Sequence, residues 1–349
     1  MALSADAPAR VHEITRPGAA PAHPTAAQPV PAHAAAGPTR PAPAGDPARN
    51  RRLGVVAIVV SATAMGTAGV FGRLATPSGA LIGEALTMGR MLVGAVGMLV
   101  ILAVGRRLGV LRRTRLSWSV ALGGVFLGLS LATLLSATVL IDLALAVALH
   151  YLGPVLSASL AWVLLKESMT RVEVVSLVIS FAGMTLAAGL VGGDPAVASG
   201  QEALGLGLGV ASGIFYGAAL LCYRYRTDMP ADVRSFWNFA FGALGTAALV
   251  AVVRPDLSGM TATHWAWAAA FFLVCGLLAL GLLVVAGKHL RAAELSGLSY
   301  WEVVVALLLG AALFGEGVSA LAAAGAGLIV IAGVVPLLGP ARASSTRAR

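Results

Sequence analysis

The chain has 349 residues, 58% of them hydrophobic and only 11% charged, with 42 glycines and a formal net charge of +9. An average soluble domain carries roughly 25% charged residues, so this composition cannot cover a water-facing surface. It excludes a soluble enzyme, a nucleic-acid-binding domain and a disordered scaffold, and leaves a polytopic membrane protein built from helices.

Residues 1–50 differ from everything after them. They hold 10 of the 17 prolines and 16 alanines, and no apolar run. A segment of this kind cannot bury enough surface to offset its ordering entropy, so a disordered cytoplasmic tail is expected there. No apolar h-region follows Met1, so the tail does not read as a signal peptide.

From Leu53 to Leu338 the sequence is nearly continuously apolar with short polar breaks. A span takes about 20 residues, which predicts ten helices near 53–75, 84–104, 117–138, 142–165, 171–191, 203–223, 233–253, 264–286, 293–315 and 318–338. A short cytoplasmic tail, 339–349, completes the chain. Placing the N-terminus inside puts 21 of the 24 Lys and Arg residues on one side, five of them between Arg106 and Arg115. The exceptions are Arg73 and Arg254 near the other face and Arg90 within a span. This asymmetry predicts an even number of spans with both ends cytoplasmic, in the plasma (inner) membrane.

The two halves repeat. At an offset of 149, His150-Tyr151-Leu152-Gly153-Pro154 lies over Ser299-Tyr300-Trp301-Glu302-Val303, and Lys166-Glu167 over Gly315-Glu316. At 148, Gly89-Arg90 with Gly94 and Gly97 lies over Trp237-Asn238 with Gly242 and Gly245. Each half, 51–191 and 203–338, then holds five spans. Five is odd, so the second copy enters the membrane inverted, the arrangement of many secondary transporters.

Span nine carries Glu302, about 10 Å deep from the inner face. Ser299, Glu302, Ala306 and Gly310 make a small, polar stripe at i, i+3, i+7 and i+11. A carboxylate at such depth faces protein or water rather than lipid. It binds a substrate amine or takes a proton, or, structurally, bonds a neighbouring helix. Span four offers the matching face Ala146, His150, Gly153, Ser157 and Ala161. His150 lies about 12 Å from the outer side, leaving roughly 8 Å between its depth and that of Glu302. That gap suits a solute or a short water chain. Pro154 lacks an N–H, so the carbonyl of His150 loses its helical partner and a kink is expected.

Arg90 offers a contact for a substrate carboxylate; alternatively it snorkels, or pairs with Glu84 or Asp142. Asn238 is its repeat counterpart. Tyr151, Tyr300, Trp301 and Tyr216 are candidate aromatic walls for an organic solute, though aromatics in spans more often pack or anchor at interfaces. Gly205, Gly209, Gly213 and Gly217 form three GxxxG steps that admit a close neighbour helix. Trp118, Trp265 and Trp267 read as interface belt residues, and Glu167 and Glu316 as corners that cap or pair.

The segments HYLGPVLSASLAWVLLKESMT with VVSLVISFAGMTLAA, and LSYWEVVVALLLGAALFGEGVS with AAAGAGLIVIAGVV, resemble the ends of two EamA domains. The chain therefore resembles the EamA branch of the drug/metabolite transporter superfamily over about 53–338. The family pattern has Glu-Pro where this chain has Glu302-Val303; the proline appears only in the first copy, as Pro154, after Gly153. The resemblance implies an all-α membrane protein of two inverted five-helix repeats that moves a small organic metabolite or drug by alternating access, with outward as the expected direction. Proton coupling through Glu302 and His150 is the sharper form of that reading. No GxxxxGK[ST] motif, CxxC or HExxH spacing occurs, so neither ATP-driven transport, a cofactor nor a metal site is expected. Lipids are expected partners and nucleic acid is not; the oligomeric state is left open. The competing classes are an integral-membrane enzyme acting on lipid, which needs clustered His, Asp or Ser near an interface, and a structural or sensory membrane module.

Overall fold

The computed structural model describes residues 47–164, 171–187, 199–225, 229–290 and 298–338. The expected tail to residue 46, the corner Glu167 and the C-terminal tail lie outside the described residues. Every regular element among the described residues is helical.

The first helix, α1 (Pro47–Gly66), gives way at Thr67 to α2 (Ala68–Ala75). It begins six residues before the expected Leu53. Proline suits a first helical position because its missing N–H would be unpaired there anyway. Next come α3 (Gly83–Val104), the short α4 (Leu108–Arg113) and α5 (Trp118–Leu140). The helix α4 sits within the basic loop and was not expected. The expected fourth span is divided into α6 (Leu143–His150) and α7 (Leu152–Leu164), with Tyr151 in the turn between them. Pro154 lies three residues past that break, in the first turn of α7, where its missing N–H is tolerated.

The chain continues through α8 (Arg171–Ala187), α9 (Gly200–Arg224) and α10 (Ala231–Val253). A Ser199–Glu202 capping box opens α9, satisfying two N-terminal donors. Asp256, in the loop after α10, accepts the Ser258 N–H at 2.9 Å, which holds its carboxyl below the ordinary range. The eighth apolar segment is α11 (Ala262–Phe271), a π-helical stretch (Phe272–Leu278) and α12 (Ala279–His289). Last come α13 (Trp301–Phe314) and α14 (Ala320–Leu338). Gly315 ends α13 in the left-handed region, φ 68°, which favours glycine.

Six helical segments among the described residues are long and apolar enough to cross a membrane: Asn50–Ala75, Gly83–Val104, Trp118–Leu140, Gly200–Cys222, Asp232–Val253 and Ala262–Leu283. Leu143–Ser157, Trp301–Phe314 and Ala320–Ala332 are shorter apolar helices. Their outer faces carry exposed Val56, Leu92, Val96, Leu244 and Leu308, the surface that hydrocarbon solvates. Trp118, Trp265 and Trp267 are also exposed.

With lipid outside, helix association rests on close contact rather than on hydrophobic burial. Small residues supply that contact. A methyl group on Gly217 of α9 would lie 2.9 Å from the Gly153 carbonyl oxygen, and one on Gly128 of α5 would lie 2.6 Å from that of Gly242 on α10. The glycine stripe of α9 thus faces the divided span: Gly209 meets Leu149, Gly213 meets Leu149 and Leu152, and Gly217 meets Gly153 and Leu156. A central core of Met91, Leu143, Ala146, Val147, Tyr151, Phe239, Tyr300 and Val303 fills the space between.

Candidate functional site

Two helix interruptions meet inside this core. Tyr151 occupies the turn between α6 and α7, and Tyr300 the turn immediately before α13. Their ring centroids are 5.1 Å apart. The Tyr151 hydroxyl donates toward Glu302 Oε2 at 2.8 Å and toward the Ser299 carbonyl at 3.0 Å. A phenol has one proton, so these acceptors share it or compete for it. Glu302 lies in the first turn of α13, where the unpaired amides of a helix start favour negative charge.

This corrects two geometric expectations. Span nine does not run as one helix through the Ser299–Gly310 stripe: Ser299 stands before the turn at Tyr300 and Glu302 after it. The expected gap between His150 and Glu302 is also filled, because Tyr151 reaches across and bonds the carboxylate directly. Depth counting assumed unbroken helices and therefore missed the ring that the breaks turn inward.

His150 has its own partners. Its ring stacks on Tyr216 of α9 at 4.3 Å with 14° between planes and meets Tyr151 edge-on at 5.6 Å. Nδ1 lies 2.8 Å from Ser212 Oγ and 3.2 Å from Ser130 Oγ. The two serines donate to each other's backbone: Ser130 Oγ–H to the Ser212 carbonyl at 2.9 Å, and Ser212 Oγ–H to the Ser130 carbonyl at 2.8 Å. With both hydroxyl protons assigned to those carbonyls, the network assigns the imidazole hydrogen to Nδ1, which donates toward the serine oxygens. The lone pair of the neutral imidazole is then on Nε2, away from the serines. Sequence reading missed Ser130 and Ser212 because a hydroxyl among Gly, Ala and Leu looks like packing. Ser212 directly precedes Gly213 in the α9 stripe, whereas Ser130 lies on α5 with no such neighbour pattern.

Arg90 is 3% exposed on α3. It neither snorkels nor pairs with Glu84 or Asp142. Its guanidinium lies over the Phe271 ring at 5.4 Å, with Nη2 2.9 Å from Met65 Sδ. Arg90 Nε, Thr87 Oγ1, Trp237 Nε1 and Asn238 Oδ1 are buried atoms without a hydrogen-bond partner. Native interiors rarely leave such atoms unpaired, since each costs roughly 1–3 kcal/mol. Near Arg90 two α-helical runs are interrupted, one at Thr67 and one by the π stretch. Cys275 Sγ donates to the Ala64 carbonyl at 3.1 Å and Ser61 Oγ to that of Ala279 at 2.6 Å, joining the two interruptions.

Trp301 stands differently from the tyrosines. Its indole N–H donates to Thr63 Oγ1 on α1 at 3.0 Å. The structure therefore gathers His150, Tyr151, Tyr216, Ser299, Tyr300 and Glu302 at one place, with Arg90 and Asn238 on the neighbouring α3 and α10. At the far end of α13, Glu316 both caps and pairs: its carboxylate accepts the Leu143 N–H and meets Arg73 at 2.7 Å.

A solved crystal structure, described only as that of a protein, matches with a TM-score of 0.61 at 22% identity, over 83% of this chain and 97% of its own. That likeness speaks to fold alone. No curated protein matches significantly. The model of the EamA-like transporter family matches twice, over residues 52–189 and 203–337, together nearly all of the apolar chain. The chain is an integral membrane protein and belongs to the EamA-like transporter family.

Proposed function

We propose that this family member is a secondary transporter, not an enzyme, that exports a small organic solute by alternating access, driven by protons. In this reading the chain crosses the plasma membrane ten times as two inverted five-helix repeats, with both termini cytoplasmic. The double family match and the 21-of-24 basic-residue asymmetry support that topology.

The observation that carries the reading is the meeting of two interrupted helices around a buried carboxylate. Interrupted spans supply free backbone groups where a cargo must be held, near the middle of the membrane. The ionised Glu302 takes the Tyr151 hydrogen bond. Once Glu302 is protonated it no longer competes as strongly for that proton, and the Tyr151 hydroxyl turns to the Ser299 carbonyl 3.0 Å away. Protonation is thereby felt at the turn ahead of α13. His150 Nε2 and the rings of Tyr216 and Tyr300 offer further contacts. The unpaired Arg90 Nε and Asn238 Oδ1 are groups that a solute's polar atoms would satisfy.

Flux in proteoliposomes with and without a pH gradient tests this, run on the wild type and on Glu302→Gln against a metabolite panel. A gradient-dependent flux that Glu302→Gln abolishes is expected. Flux indifferent to both the gradient and the substitution would defeat the proton-coupled reading.

A further inference from the structure

Arg73 and Glu316 come from opposite halves of the chain and close one end of the central elements. Arg73 Nη1 meets Glu316 Oε1 at 2.7 Å. Nε donates to the Thr138 carbonyl and Nη2 to that of Ile141 at 2.7 Å, while the guanidinium carbon lies 4.6 Å over the Phe314 ring. Both Glu316 oxygens lie 3.1 Å from the Leu143 amide. Asp142, the residue at the N-cap of α6, makes no side-chain cap, so a carboxylate from the other half caps α6 in its place. One cluster thus holds the end of α2, the α5–α6 junction and the end of α13.

Placement gives this cluster its meaning. The helix α6 runs from Leu143 at the ion pair to His150, beside Tyr151. The helix α13 runs from Glu302 at the same centre to Phe314, next to the ion pair. Both helices therefore connect the candidate site with the Arg73–Glu316 pair, and the residues between, Ala146, Val147, Ala306 and Leu307, are buried. The side chains of the pair are 18% and 11% exposed, and Arg73 with Asp142 and Glu202 borders an open recess of about 550 Å³. Water thus reaches the pair but not the core beneath it.

We propose that the Arg73–Glu316 pair is the outward gate of the transport pathway, closed here, and that it must separate for solute to leave the central site. The proposal rests on the transporter reading and on the orientation given by the basic residues. A pair reachable by water and made of one charge-assisted contact can open and close. The glycine-packed contacts of α9 with α6 and α7 offer no such release.

The test needs no knowledge of the cargo. Cys222 and Cys275 are replaced by Ser, and Ala146, fully buried on α6, becomes the single reporter as Ala146→Cys. Labelling by a membrane-impermeant maleimide is then timed in intact cells and in inverted vesicles. Glu316→Gln keeps a carbonyl oxygen to cap the Leu143 amide but removes the charge that holds Arg73. We expect it to raise labelling in intact cells about fivefold or more, the shift that roughly 1 kcal/mol supplies. Reversal of the pair, Arg73→Glu with Glu316→Arg, should bring the rate back down. Where Glu316→Gln folds poorly by size exclusion, Glu316→Asp, which shortens the reach, should give a smaller rise in the same direction. Labelling unchanged by every variant, or raised only in inverted vesicles, overturns the outward gate. Loss of gradient-driven flux with the labelling result intact would instead fault the transporter reading.

Discussion

Tyr151 and Tyr300 occupy matched positions in the two sequence repeats, and their rings lie 5.1 Å apart, each at the point where a helix is interrupted. The repeat thus places two breaks side by side. Only one of the pair, Tyr151, reaches a carboxylate, and the asymmetry follows from sequence: the second copy supplies Glu302 where the first has Gly153.

Replacing Glu302 with Gln should leave the fold intact, because amide and carboxylate share a shape and the amide oxygen still accepts from Tyr151. Gradient-driven transport should vanish. Glu302→Leu should also lose transport while melting at an equal or higher temperature, since it removes a buried charge. Flux in vesicles beside a melting curve checks both. Wild-type transport in Glu302→Gln would take this carboxylate out of the mechanism, and a collapse in stability would make it structural.

Tyr151→Phe removes the donor that Glu302 and the Ser299 carbonyl share. A loss of about 1–3 kcal/mol is expected from the unpaired acceptors. In melting curves the Tyr151→Phe, Glu302→Gln double variant should be no less stable than the worse single, because both act through one hydrogen bond. Additive losses in a double-mutant cycle would separate the two residues.

The tautomer of His150 predicts an order among its replacements. Asparagine presents an N–H near the position of Nδ1 and can keep the contact with Ser130 and Ser212; leucine cannot. His150→Asn should therefore be more stable than His150→Leu by about 1–2 kcal/mol, read from their melting curves. Equal melting, or the reverse order, would mean that the serines do not receive that hydrogen.

Glycines of α9 should divide sharply. Gly207 faces open space, so Gly207→Ala should be neutral or slightly stabilising. Gly217→Val places branched carbon against the Gly153 carbonyl and should cost about 1–3 kcal/mol or more. Thermal denaturation in detergent distinguishes them, and equal tolerance at both positions would contradict the packing.

Topology is open to labelling of single cysteines. Ser199→Cys should react with an impermeant reagent from outside, and Ser345→Cys should not. The reverse pattern would invert the assigned orientation.

Much of the scaffold could be read without coordinates. Hydrophobic run length located the six described segments long and apolar enough to cross a membrane, because a membrane leaves a backbone few other ways to satisfy its amides. The glycine spacing of α9 marked a close contact, which proved to be with α6 and α7. Pro154 announced the break near His150, since a missing amide is visible in sequence. The break at Thr67 and the π stretch carry no such signature, and neither does the turn at Tyr300. The Ser130–Ser212 exchange and the Arg73–Glu316 pair join residues 82 and 243 positions apart, and local pattern does not encode which distant partner a polar group will find. Glu316 was recognisable as a residue that caps or pairs, but not as the cap of α6.

The π stretch of the eighth segment fixes the rotational phase of α12. One residue more than an α-helical count turns all downstream side chains by about 100° around the axis. The carbonyl of Ala279 meets Ser61, and Leu282 and Ala286 pack beside Ile58, only at that phase. Chain length between Phe272 and Leu278 is therefore as much a constraint as residue identity. Deleting one residue there would swing α12 a quarter turn or more, presenting to lipid the side that now lies against α1.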